Sequence, residues 1–240
     1  MFFFMPMYSI LLIYIGAAII PAMILMRYIY KMDTYEKEPP ALLWSLIWCG
    51  VLAALVSIVL EIIGEGLLGL TKLDKDSPLY SIVTAFFVVA VVEEGTKYFF
   101  MARKTWNDPN FNYSFDGIVY AAFTSLGFAA FENVKYVFNY GLSVAFPRAI
   151  LAIPGHLGFS VVFGFFYGRA RKAADYGRDG QKVADLILGY VCAVFLHGFY
   201  DSCAMIQTSG STIVFVAFVA IMYVVIYFLI RHESDHNAPV

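Results

Sequence analysis

Charge is what this sequence holds least of. Only 14% of its 240 residues are Asp, Glu, Lys or Arg, where a soluble globular domain carries about 25%. Hydrophobic residues make up 61%, with 17 Tyr and 23 Phe among them. A core of this length has no room for such an apolar excess, so a bilayer must take it up. The formal net charge of −2 gives no sign of nucleic acid or of an acidic partner. Cysteine is scarce as well: Cys49, Cys192 and Cys203 all fall in apolar runs. The last two share one predicted helix, and their spacing of 11 residues corresponds to roughly 16 Å, too far to bridge. The pattern holds no disulfide framework and no cysteine-based metal site, which leaves small buried apolar residues as the reading. Also missing are a Ser nucleophile elbow, a His-Glu-x-x-His pair, a phosphate-binding loop and a Gly-rich dinucleotide motif. A covalent enzyme built on any of these is excluded.

What is present is a series of apolar runs near 8–30, 41–67, 79–101, 117–138, 149–168, 184–206 and 212–230. Each approaches the roughly 20 residues that a spanning helix needs. The amino end, "MFFFMPMYSILLIYIG", has no basic residue before its apolar run and no small-residue cleavage site, so it reads as a retained first span. No internal repeat is evident, and residues 1–240 read as one membrane domain. The fold class is therefore all-α: a polytopic transmembrane bundle of about seven spanning helices. Placing the amino end outside and the carboxyl end inside puts eleven Lys and Arg in inner segments, including Arg169, Arg171 and Lys172. Three fall outside: Lys72, Lys75 and Arg148. That bias sets the predicted orientation.

Four spans carry ionisable residues. The third holds Glu93, Glu94 and Lys97; the fourth holds Glu132 and Asn133; the fifth holds His156; the sixth holds His197 and Asp201. A charge at a helix centre costs about 2.5–3.5 kcal/mol even on the lenient insertion scale. Four carboxylates then cost on the order of 10 kcal/mol, as much as the net stability of a whole protein. They must meet each other, a partner or water. Lys97 follows Glu93 by four residues and Glu94 by three, so it reaches either carboxylate on the same helix face. Asp201 follows His197 by four and can hold its ring. An isolated polar residue in a membrane helix is usually interhelical glue, and Asn133 and Lys135 read as glue and a snorkelling cation. Glu61 and Glu65 read as an interfacial face. Two histidines and four acids at compatible depth ask for more than packing.

Carboxylates and imidazoles around confined water are equipment for hydrolysis. A buried glutamate beside a second one can act as general base, and a donor histidine can stabilise the oxyanion of an attacked carbonyl. Glu93-Glu94-x-x-Lys97, Phe128-x-x-x-Glu132-Asn133, His156 and His197-Gly198-x-x-Asp201, in that order, resemble the PrsW family of bacterial membrane proteases. So does "DTYEKEPP", residues 33–40. The resemblance covers roughly residues 33–205 and extends to the wider CAAX-type and bacteriocin-processing endopeptidases. It implies an intramembrane endopeptidase of the bacterial cytoplasmic membrane. The implied substrate is a single-span membrane protein such as an anti-sigma factor, cut at its outer, first site in stress signalling. It also implies that Glu93 or Glu94 activates water, with Glu93 preferred, that Lys97 tunes the pair, and that Glu132, His156 and His197 complete the catalytic set. Asn133 and Asp201 are supporting residues. Where the CAAX-type enzymes have a histidine in the second motif this chain has Glu132, and where they end in Asn it has Asp201. No cofactor is expected, although zinc on Glu93, Glu132, His156 and His197 is compatible with the residue types. The competing readings are a proton- or ion-coupled transporter, against which no paired halves with interrupted helices are visible, and a non-catalytic scaffold.

Overall fold

The computed structural model describes residues 6–240, so the first five residues of the amino-terminal stretch lie outside it. Seven helices are long and apolar enough to cross a membrane, as the apolar runs predict, and most run a few residues beyond them. They are α1 (Met7–Met32), α2 (Pro40–Gly69), α3 (Pro78–Thr105), α4 (Asp116–Tyr140), α6 (Ala152–Asp175), α7 (Asp179–Ile206) and α8 (Ser209–Asp235). A short helix, α5 (Ala145–Ile150), precedes α6. Among the described residues, extended pairing is limited to one isolated antiparallel bridge between Tyr113 and Pro239. The three cysteines are free.

Local signals place the helix starts. Pro40 occupies the first turn of α2 and Pro78 that of α3, where a missing N–H costs nothing. The Ser77 hydroxyl accepts from the Tyr80 N–H at 3.2 Å, and Thr208 and Ser211 form a reciprocal capping box at the start of α8. Gly141, at φ 82°, ends α4.

The seven spans divide by what they touch. Helix α4 is the most completely buried and the least apolar of them, whereas α8 is the most apolar and largely faces outward. Lipid contact demands an apolar surface; a central helix surrounded by protein does not. Close approach to α4 relies on glycine. A Cβ on Gly117 or Gly164 would lie 2.6 Å from the Gly164 carbonyl oxygen or 2.5 Å from that of Gly117, respectively. Small residues let membrane helices pack backbone to backbone. One half of the bundle is then filled by interlocking rings of Phe111, Tyr120, Phe163 and Tyr167. The cluster of Glu93, Glu94, Lys97, His156 and His197 lies apart from these rings.

The end of the bundle bearing the 33–40 loop is tied together by polar contacts. Tyr120 donates to Glu38 Oε1 at 3.0 Å, and Asn112 Nδ2 donates to Glu36 Oε2 at 3.0 Å. The carboxyl-terminal tail joins them, with Asn237 Oδ1 accepting from the Phe115 N–H at 2.9 Å. Asp33 and Glu38 are buried in this junction. Burial pushes the Asp33 carboxyl up to about 6. Burial and the neighbouring Asp116 push Glu38 up to about 8.

Both folded-state values lie above the roughly 4 of an unfolded carboxyl. Their stabilisation is therefore complete below about pH 4 and is lost as pH rises through 6 and then 8. Thermal unfolding of the detergent-solubilised protein at pH 5 and pH 8.5 should show lower stability at the higher pH. The Asp33→Asn, Glu38→Gln variant should flatten that difference, and an undiminished pH slope in the variant would overturn the assignment.

Candidate active site

The approach to the site begins in α3, where Thr84–Ala90 winds as a π-helix one turn before Glu93. Such wide turns re-aim the residues that follow and recur at functional sites. Against this segment packs Gly198 of α7, where a Cβ would lie 2.5 Å from Phe86 Cδ1. Only glycine lets α7 close on the Phe86 ring, and that closure brings its neighbour His197 against Glu94.

Glu93, Glu94, Lys97, His156 and His197 are each at most 5% exposed. The Lys97 Nζ donates to Glu94 Oε1 at 2.8 Å and to Glu93 Oε2 at 3.2 Å, and it lies 3.2 Å from His156 Nδ1. An ammonium only donates, so all three of its protons are engaged and His156 accepts at Nδ1. The remaining His156 nitrogen, Nε2, then carries the hydrogen and donates to Glu132 Oε2 at 3.1 Å. Lys97 also stands 4.1 Å from the centre of the Phe128 ring, a favourable face for a cation. His197 lies between acids, with Nδ1 2.8 Å from Glu94 Oε1 and Nε2 3.3 Å from Asp201 Oδ2. Its ring stacks on Phe159 with centroids 4.8 Å apart.

The two adjacent glutamates are not equivalent. Glu94 Oε1 is held by both Lys97 and His197. Glu93 has one contact to Lys97, and its Oε2 is 3.9 Å from His197 Nε2. Glu93 also lines a narrow cleft with water-sized room of about 10 Å³, walled by Ser57, Glu61, Phe128, Glu132 and Lys135. Glu94 instead lines a separate cavity with Tyr98, Thr124 and Ser160.

All eight residues singled out by the sequence meet around this point, Asn133 at its margin, where its Nδ2 donates to the Ala18 carbonyl at 2.9 Å. That bond ties α4 to α1. Three features were not anticipated. Glu61, expected on an interfacial face with Glu65, turns into the cleft, while Glu65 is exposed. The π turn leaves no mark in composition. Arg148, counted as an outer loop cation, reaches in to Glu132 at 2.8 Å. Its signal was an imbalance: four intramembrane acids faced Lys97 and Lys135 alone.

Glu93, Glu94, His156 and His197 bring one donor atom each to within 4.8 Å of one another, a nitrogen and oxygen set chemically suited to zinc. The cation among them is Lys97. Its Nζ is bonded to Glu93, Glu94 and His156, so an ion taking these atoms at about 2.1 Å would be repelled by the ammonium and enters only where Lys97 moves aside or gives up its proton.

The sequence family described as "PrsW family intramembrane metalloprotease" matches residues 38–230. Protease PrsW of Oceanobacillus iheyensis is 28% identical over 223 residues, covering 93% of this chain and 97% of that one. Protease PrsW of Geobacillus kaustophilus is 33% identical over 78% of this chain and 77% of its own. Protease PrsW of Bacillus subtilis is 32% identical over 78% and 80%. No solved structure matches the chain. With four ordered polar motifs gathered in one buried site and a family match across most of its length, the chain belongs to the PrsW family of intramembrane proteases and is an integral membrane peptidase acting on protein substrates.

Proposed function

We propose that Glu93 is the general base of a metal-independent peptide hydrolysis, and that the observation carrying this is the unequal commitment of the two glutamates. Glu94 is locked by Lys97 and His197, whereas Glu93 faces the cleft with a single strong partner. A water in that cleft gives a proton to Glu93 as its oxygen bonds to the scissile carbonyl carbon. Lys97 has no proton to spare for the resulting oxyanion, since its three donors are taken. His197 Nε2 has the weaker contacts, 3.3 Å to Asp201 and 3.9 Å to Glu93, and is the donor best able to turn to it. Glu94 holds the ring at Nδ1 meanwhile, 2.8 Å from its Oε1. The intermediate collapses by breaking the C–N bond, and the departing amine takes the proton back from Glu93. Lys97 keeps the pair of glutamates from repelling one another through the cycle.

The substrate we propose is a single-span membrane protein cut near its outer face, an anti-sigma factor in stress signalling. The motif resemblance supports this, as does the excess of inner Lys and Arg, which turns the amino end and the half of the bundle holding the site outward. The cleft between α2 and α4, with room for a water beside Glu93, is where the scissile bond would be presented.

Cleavage of a co-expressed single-span reporter should fall by roughly 10²–10⁴-fold in Glu93→Gln, the range for loss of a general base, with insertion and abundance unchanged. His197→Ala should likewise lose cleavage. Normal processing by the Glu93→Gln, Glu94→Gln double variant would refute the assignment of the base.

A further inference from the structure

Arg148 is a strongly basic group bonded to the site that neither the motifs nor the hydrolytic scheme uses. It projects from α5, the short helix between α4 and α6. Its guanidinium makes two directed bonds: Nη2 to Glu132 Oε2 at 2.8 Å and Nε to Asn133 Oδ1 at 2.8 Å. It also lies 3.8 Å from the centre of the Tyr136 ring. Three partners from two successive turns of α4 thus fix one planar cation, and its side chain is 15% exposed. Lysine, a point charge, cannot reproduce that fork.

Glu132 Oε2 is shared. It accepts from Arg148 and from His156 Nε2 at 3.1 Å. His156 Nδ1 in turn accepts from Lys97, which holds Glu93 and Glu94. The contacts form one unbroken line from Arg148 on α5 through Glu132 on α4 and His156 on α6 to the glutamate pair on α3. Without Arg148, Glu132 would face the other cation that lines the same cleft, Lys135. A carboxylate drawn to it would leave His156 Nε2 without its acceptor. The His156 ring would then be free to turn, and the third proton of Lys97 would lose its partner.

We propose that Arg148 is a positioning residue for the hydrolysis: by pinning Glu132 it fixes the orientation of His156, and through Lys97 it holds Glu93 facing the cleft. Arg148 touches no reacting atom. The pairing of Arg148 with Glu132 gives the fourth-span carboxylate a role distinct from base or nucleophile, as the acceptor that anchors an imidazole.

The test uses the full chain in liposomes with a fluorogenic single-span peptide. Arg148→Gln should lower kcat by on the order of 10²-fold, the scale of a small misplacement of reacting groups, and leave KM unchanged. Arg148→Lys, which keeps the charge but loses the fork, should recover part of that kcat. Because Arg148 acts through Glu132, the Arg148→Gln, Glu132→Gln double variant should be no slower than Glu132→Gln alone. A rise in KM at constant kcat would make Arg148 a substrate contact, and multiplicative losses in the double variant would make it independent of Glu132; either overturns the proposal. So does an Arg148→Lys protein as slow as Arg148→Gln while both unfold at the wild-type temperature. The inference rests on the peptidase reading, which wild-type cleavage and its loss in Glu93→Gln establish separately. A negative result at Arg148 therefore leaves that reading standing.

Discussion

Lys97 brings one positive charge in among two carboxylates and an imidazole, deep in a bundle whose outer surface is apolar. Its three protons are divided among Glu93, Glu94 and His156, and from that division much else follows. It lets adjacent glutamates coexist without water. It fixes which nitrogen of His156 accepts, and hence that Glu132 must receive the other. It makes the two glutamates unequal, because His197 reinforces the grip on Glu94 and leaves Glu93 facing the cleft. Intramembrane charges are expensive singly; here Glu93, Glu94, Lys97, Glu132, Arg148 and Asp201 each have a partner, and the chain of partners crosses α3, α4, α5, α6 and α7.

Bringing five helices to one point requires close backbone approach, and the sequence supplies it with small residues. Gly198 admits α7 to the π-helical turn of α3, and Gly117 and Gly164 bring α4 and α6 together. The aromatic packing around Tyr120 and Tyr167 closes one half of the bundle, so polar space opens in the other. The same sorting explains why the most buried span is also the least apolar: it is solvated by other helices rather than by lipid.

The seven spans were legible because apolar runs of membrane length are a strong, one-dimensional signal, and the helices extend only a few residues beyond them. The site was legible because ionisable residues have so few reasons to enter a membrane. Glu93, Glu94, Lys97, His156 and His197 could be singled out one helix at a time. What could not be read is how neighbouring helices are rotated and offset. Glu61 lies eight residues from the end of α2, and composition alone does not say whether it faces lipid headgroups or Glu93. Arg148 looked like an ordinary loop cation because its partners, Glu132 and Asn133, lie 16 and 15 residues earlier and meet it only after the chain reverses at Gly141. The π turn in α3 is a tertiary accommodation of α7 and has no residue signature of its own.

The family's description as metalloproteases and the position of Lys97 make opposite demands on the same four donor groups. Elemental analysis of the purified protein, on the preparation in which peptide cleavage is measured and beside a Lys97→Gln variant, decides between them. The account predicts full cleavage by a wild-type chain that carries no stoichiometric zinc, with zinc uptake appearing only when the ammonium is removed. One tightly held zinc per wild-type chain, lost with activity on chelation and restored with it, would contradict the account.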